Sequence, residues 1–201
     1  MVRTLRNRLT KKWDHSEEDS LKHVIHFDIQ KTDELINGNW TSETIIDYGK
    51  TNHKAIVNNG LKGVVGDKKV DLIIGGPPCQ AYSVAGRAQD KNSMKDDYRN
   101  YLFESFINVV DAFKPEVFVF ENVPGMLSAS PGDKMVTERV YESFSKYGYT
   151  IKKPNELKNA IQVASDFGVA QKRKRVIIIG VRDDVLSDDF SLKTIYKEID
   201  N

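Results

Sequence analysis

The chain has 201 residues, 39% apolar and 29% charged, with 13 glycines and 6 prolines. That balance fits one ordinary domain or a large piece of a bigger protein, and it excludes collagen, low-complexity linkers and a disordered tail. A net charge of +1 argues neither for nor against a nucleic-acid partner, and a single cysteine excludes a disulfide framework or a cysteine-rich zinc site.

In chain order, Arg3, Arg6, Arg8, Lys11 and Lys12 crowd a start that lacks the apolar core of a secretory signal. With the acidic Glu17-Glu18-Asp19 they read as an N-terminal extension over 1–20, and a charge run is ordinarily a solvated face. No window approaches the roughly 18 consecutive apolar residues of a membrane span, so the expectation is a soluble cytoplasmic protein. The run 23–27 (His-Val-Ile-His-Phe) predicts a first strand ending at Asp28. Residues 37–66 are polar and rich in Asn and Gly, with only 41–48 expected to be helical; an insertion spanning 36–68 is expected. A second strand over 70–74 stops at Gly75-Gly76-Pro77-Pro78, and the polar stretch 83–97 has the composition of a mobile lid. Across 100–113, Leu102, Phe103, Phe106, Val109, Val110 and Phe113 recur at three- and four-residue spacings, one apolar stripe of a helix. A third strand over 116–120 stops at Glu121-Asn122-Val123-Pro124-Gly125, and a helix over 137–147 stops at Gly148. The basic knot 171–175 leads into a fourth strand over 175–179, followed by a tail over 186–201 in which 190–201 starts another helix. Runs apolar on both faces suit strands buried between helices, and the alternation of strand and helix predicts a doubly wound α/β domain over 21–185 with a mostly parallel sheet.

In such a sheet, ligands bind outside the carboxyl ends of the strands. The second strand delivers Cys79 and Gln80 to that rim behind a double proline, which fixes two φ angles and stiffens the loop. The third delivers Glu121 and Asn122. A free cysteine is usually a small buried hydrophobe, but Cys79 lies in a turn outside the apolar run. A thiolate there needs a cationic or helix-terminal setting to act as a nucleophile, which Arg173 and Arg175 could supply. Glu121 reads equally well as a helix N-cap or surface carboxylate, and Asn122 as a cap for the following turn.

These strings, in this order, resemble the cytosine-C5 DNA methyltransferases over roughly 21–181. Gly75-Gly76-Pro77-Pro78-Cys79-Gln80 is similar to the family's motif IV, Phe120-Glu121-Asn122-Val123 to motif VI, and Gln171-Lys172-Arg173-Lys174-Arg175 to the Gln-x-Arg-x-Arg of motif VIII. Tyr98-Arg99-Asn100-Tyr101-Leu102-Phe103 resembles the start of the motif V helix, and Asp28-Ile29 resembles motif III. The resemblance implies a partial Rossmann-like, S-adenosylmethionine-dependent methyltransferase fold, double-stranded DNA as partner, and a prokaryotic, nucleoid-associated role in restriction-modification. It implies that Cys79 attacks C6 of a flipped or unpaired cytosine, activating C5 to take the methyl group of S-adenosyl-L-methionine. Protonated Glu121 would hydrogen-bond cytosine N3, and Arg175 with Arg173 would clamp the nucleotide at its O2 edge or phosphate. Asp28 would contact the adenine amino group, with Ile29, Pro77 and Leu102 bordering the cofactor. Gln80, Ser83, Asn122 and Gln171 would contact substrate, and no metal is implied.

The family's glycine-rich motif I, Phe-x-Gly-x-Gly, has no counterpart, since the first glycine is Gly38. The target-recognition region and motifs IX and X are also missing. The sheet is therefore expected to lack its first strands and to expose an apolar edge that pairs with something. One reading is a piece of a split enzyme, completed by a second polypeptide that supplies motif I and the target-recognition region. A truncated product and a degenerate, non-catalytic DNA-binding or interaction subunit are the others. A transfer-RNA cytosine methyltransferase would use the same residues on an RNA loop.

Overall fold

The computed structural model describes residues 1–77, 102–130, 133–187 and 192. The chain divides into two compact units, 1–69 and 70–201.

The first unit is helical: α1 (Val2–Lys12), α2 (Glu17–His23), α3 (Thr32–Asn37), α4 (Ser42–Tyr48) and α5 (Lys54–Val65). Leu35, Ile36, Trp40 and Ile56 are its buried apolar residues, and the Phe27 ring lies 4.6 Å from Trp40 and 5.0 Å from Tyr48. The strand expected over 23–27 does not form. Ser16 caps α2 by accepting from Asp19 N–H, and acidic residues in the first turn with Lys22 and His23 in the last carry the helix through His23. Beyond it, side chains claim the backbone groups that a sheet ladder would use. The Arg6 guanidinium donates to the Val24 carbonyl at 3.0 and 2.5 Å. The Asn52 amide accepts from His26 N–H at 2.9 Å and donates to the His26 and Tyr48 carbonyls at 2.7 and 2.9 Å. The polar segment expected to be an insertion contains α4 as anticipated and also α5, which the Asn58-Asn59-Gly60 string disguises. Gly60 breaks the helical path with φ +61°, and a Cβ there would lie 2.4 Å from the Ile36 carbonyl oxygen.

The second unit carries the sheet: β1 (Leu72–Gly75), β2 (Val117–Asn122), β3 (Tyr149–Thr150), β4 (Ile161–Val163) and β5 (Lys174–Arg182), with helices α6 (Leu102–Phe113) and α7 (Val136–Lys146). The second, third and fourth expected strands and the helices expected over 100–113 and 137–147 are present within a few residues of their expected ends, and the helix expected to start over 190–201 lies, apart from residue 192, outside the described residues. The strand order is β1-β2-β5-β3, with β4 also on β5. The expectation of a mostly parallel sheet is corrected to a mixed one: β1 and β2 are parallel, and β5 runs antiparallel to β2, β3 and β4. The cause is β4, an Ile-Gln-Val triplet too short to stand out in the sequence. Residues 164–173 turn the chain straight back onto it, closed by Ala164 N–H donating to the Arg173 carbonyl at 2.8 Å. So short a connection makes a hairpin, whereas a parallel pair needs a crossover.

Alternate residues of β2 point to opposite faces. Phe118 and Phe120 join Phe106, Phe144 and Tyr149 in the core, where Phe118 stacks on Phe144 with centroids 4.0 Å apart. Among the described residues the other face of β1 is open, with Leu72 49% and Ile74 70% exposed.

Candidate active site

Because β1 and β2 are parallel, their carboxyl ends reach the same edge, with Gly75 opposite Phe120. Gly75 and Gly76 then point to opposite faces. A Cβ on Gly75 would lie 2.3 Å from the Phe106 ring, on the core side. A Cβ on Gly76 would lie 2.7 Å from Glu121 Oε2, on the outer side. Two consecutive glycines therefore let the phenyl ring and the carboxylate close on the strand end that leads into Pro77-Pro78-Cys79. Sequence reasoning treats this pair only as a strand stop, although a tandem glycine directly behind an apolar run is a usable signal for close approach.

The opposite flank of Glu121 is held by β5. Glu121 pairs with Ile177 across the antiparallel ladder, which puts Arg175, two residues away, on the same face at the diagonal position. Arg175 Nε lies 2.6 Å from Glu121 Oε1, with the two side chains 23% and 37% exposed. Arg175 also donates from its other nitrogen to the Lys174 carbonyl at 2.7 Å. The carboxylate is thus fixed between a guanidinium and a bare glycine backbone, half open to solvent.

The remaining expected residues are dispersed. Asn122 alternates onto the inner face, 2% exposed, where its Oδ1 accepts from Val123 N–H at 2.9 Å ahead of the 3-10 turn Pro124–Ser128. Pro77 is buried, as is Leu102 at the start of α6. Gln171 and Arg173 are exposed in the loop between β4 and β5, where Gln171 N–H donates to the Val169 carbonyl at 2.7 Å. Asp28 and Ile29 belong to the first unit and are half-buried. There Asp28 Oδ1 accepts from Gln30 N–H at 2.9 Å. Cys79, Gln80, Ser83 and the expected lid at 83–97 lie outside the described residues. Among the described residues no group of three His, Cys, Asp or Glu side chains is placed to hold a metal, and no helix is long and apolar enough to cross a membrane.

The family of C-5 cytosine-specific DNA methylases matches residues 16–200. The type II methyltransferase M.Bpa9945I of Bacillus paralicheniformis is 54% identical over 114 residues, covering 55% of this chain and 25% of that protein. M.BspRI of Lysinibacillus sphaericus, also a type II methyltransferase, is 37% identical over 160 residues, covering 79% of this chain and 34% of that one. A solved E. coli structure, a prophage-encoded candidate DNA modification methyltransferase, is 32% identical and covers 64% of this chain and 32% of that one, with a TM-score of 0.47. The chain spans about a quarter to a third of the length of these curated relatives. With the family match running from Ser16 almost to the last residue, the chain belongs to the C-5 cytosine-specific DNA methylase family.

Proposed function

We propose that this chain forms the catalytic part of a DNA (cytosine-5-)-methyltransferase of a type II restriction-modification system. The observation that carries the reading is the Glu121 carboxylate, paired with Arg175 and seated on Gly76, at the strand end that leads into Cys79.

A base inside a stacked duplex is beyond reach, so the cytosine is extruded into the site. The Cys79 thiolate adds to C6 and forms the S–C6 bond. The electron pair of the C5–C6 double bond moves through C4 to N3, which takes a proton from Glu121 acting in its protonated form, parted from Arg175 as the base enters, and Glu121 is left as the carboxylate. The adduct is then a neutral enamine whose C5 is nucleophilic. Once C5 carries the methyl group, a solvent base removes the C5 proton, the S–C6 bond breaks as the Cys79 thiolate leaves, and N3 gives its proton back to Glu121. In this reading the base competes with Arg175 for Glu121 Oε1, and the freed guanidinium moves onto the nucleotide's O2 edge or phosphate. Exposed Arg173 and Gln171 on the neighbouring loop would add phosphate and base contacts, as would Gln80 and Ser83. Buried Asn122 positions the end of β2 through its bond to Val123 N–H.

S-adenosylmethionine is the methyl donor that this chemistry requires. Asp28 fits its adenine: one carboxylate oxygen is held by Gln30 N–H, and the other has no protein partner among the described residues and can accept from an amino group. By the family resemblance, Ile29 in the first unit and Pro77 and Leu102 in the second would border the cofactor. The rest of the enzyme, on this or a second polypeptide, would supply motif I and the target-recognition region and cover the open face of β1.

The test is covalent trapping on a duplex carrying 5-fluorocytosine, with S-adenosylmethionine and the remainder of the enzyme present. The wild-type chain is expected to form a denaturation-resistant adduct and Cys79→Ser none. An adduct that survives Cys79→Ser would remove Cys79 from its role, and no adduct with wild type would remove the activity.

A further inference from the structure

We propose that α1 is a second DNA contact, a docking surface for the phosphate backbone of a duplex outside the strand-end site. The proposal rests on the reading of this chain as part of a DNA methyltransferase. The helix precedes the family match, which begins at residue 16, so the family's catalytic machinery does not account for its composition.

Residues 1–13 hold five cationic side chains and no carboxylate. At 100° per residue, Val2, Leu5 and Leu9 fall on one stripe, while Arg3, Thr4, Asn7, Arg8 and Lys11 fall on the opposite side. Burial follows that division. Val2, Arg6 and Leu9 are half-buried, α1 packs on α2, and Arg3, Thr4, Asn7, Arg8, Lys11 and Lys12 are exposed. Among the described residues, Arg3, Arg8, Lys11 and Lys12 have no carboxylate partner.

Helix stability does not explain this pattern. Cations are favourable near a helix C-terminus, which suits Lys11 and Lys12, but Arg3 lies in the first turn, where the dipole opposes it and no acidic residue offsets it. The neighbouring α2 obeys the rule at both ends, with Glu17, Glu18 and Asp19 first and Lys22 and His23 last. The cationic face of α1 therefore serves a ligand rather than the helix. It is also held in place: Arg6, on the buried side, ties α1 to the Val24 carbonyl, so little ordering is left for binding to oppose.

The geometry selects the ligand class. Eleven residues rise about 16 Å, and a duplex strand presents about five phosphates over that length. Arg3, Arg8 and Lys11, interleaved with the hydrogen-bonding Thr4 and Asn7, match such a row, and exposed Lys12 adds a fourth cation at its C-terminal end. A membrane surface would need the apolar stripe free to insert, and two of its three members are half-buried within the unit. The indole of Trp13, 54% exposed with the Arg8 guanidinium 5.7 Å from the ring centroid, extends the contact at the C-terminal end.

The intact chain is titrated with a fluorescent duplex of arbitrary sequence over a salt series. Wild type is compared with Arg3→Gln/Arg8→Gln/Lys11→Gln/Lys12→Gln and with a charge-matched control, Lys50→Gln/Lys54→Gln/Lys62→Gln/Lys68→Gln, all exposed positions of the same unit. The α1 variant is expected to bind more than about tenfold more weakly near 0.1 M salt. Its slope of log K against log salt should be shallower by about 3.6, from four contacts at about 0.9 each. The control should keep most of the wild-type affinity. Equal losses in the two variants, or an α1 variant with wild-type slope, overturn the proposal while leaving the DNA methyltransferase reading in place. Loss of binding to anionic phospholipid vesicles with duplex affinity unchanged reassigns α1 to a membrane. A wild-type chain that binds no duplex overturns the DNA reading itself and α1's role with it.

Discussion

The outer side of Gly76 is filled by the Glu121 carboxylate, and the core side of Gly75 by the Phe106 ring. The same small substitution should therefore have opposite consequences at adjacent residues. A methyl group on Gly76 meets the far end of a flexible side chain, which can rotate away. Gly76→Ala is expected to leave the unfolding temperature within about 2 °C, a fraction of a kcal/mol, while displacing the carboxylate and lowering adduct formation by about tenfold to a hundredfold. Gly75→Ala instead drives into a ring that is 4% exposed and packed on Phe118 and Phe120. It should cost about 1–3 kcal/mol of stability. Thermal unfolding and 5-fluorocytosine trapping on both variants decide the matter, and equal unfolding temperatures would contradict the packing argument. The sequence carried part of this site openly. Cys79, Glu121 and Arg175 stand out because reactive or charged residues follow apolar runs. The diagonal pairing of Arg175 with Glu121 stayed hidden, because it depends on an antiparallel register that no single-strand pattern specifies.

Whole elements were legible where a long apolar run or stripe dictated them. The helix through Leu102, Phe106 and Phe113 and the strands around Phe118 and Ile178 are examples. Short elements were not, because their ordering comes from tertiary bonds. The two-residue β3 is secured by one buried phenol, Tyr149, whose hydroxyl donates to the Pro115 carbonyl at 2.7 Å. Burial pushes that phenol up to about 12 from the usual 10. Tyr149→Phe should cost about 1–3 kcal/mol, since it leaves the carbonyl of a buried proline unpaired. A phenol raised in the folded state favours the protonated form there. Its contribution is complete below about pH 10, where the unfolded phenol titrates, and is lost as pH rises toward about 12. The stability gap between wild type and Tyr149→Phe, followed by denaturant unfolding, should thus be constant to about pH 10 and narrow above it. A gap that widened there would contradict the assignment of a buried neutral donor. The failed strand at 23–27 follows the same rule: Val24 is extended, but the Val24 carbonyl is taken by Arg6 and the His26 backbone by Asn52.

In the second unit the outer face is buried at Ile179 and Val181 of β5 and, among the described residues, opens toward β1. Parallel strands are normally buried on both faces, yet Leu72 and Ile74 of β1, an end strand of the sheet, stand 49% and 70% exposed on the face shared with Val117, Val119 and Glu121. That face leads directly to the Glu121–Arg175 pair, so whatever covers it also walls the candidate site. The curated relatives are three to four times longer than the part this chain matches, and burying two such side chains is worth about 1.5–3 kcal/mol each. On the proposed reading, in which further sequence completes the enzyme, Leu72→Lys/Ile74→Lys should accordingly weaken association with that part, added as a separate polypeptide, by at least about a hundredfold. Its own fold should be untouched, because both side chains already face solvent. Any concentration-dependent self-association of the chain alone through this edge should be abolished in the same variant, since lysine on an exposed edge strand blocks pairing with another edge. Light scattering measures the second effect and calorimetric titration the first. Unchanged affinity together with unchanged self-association would mean that this face is not where the enzyme is completed.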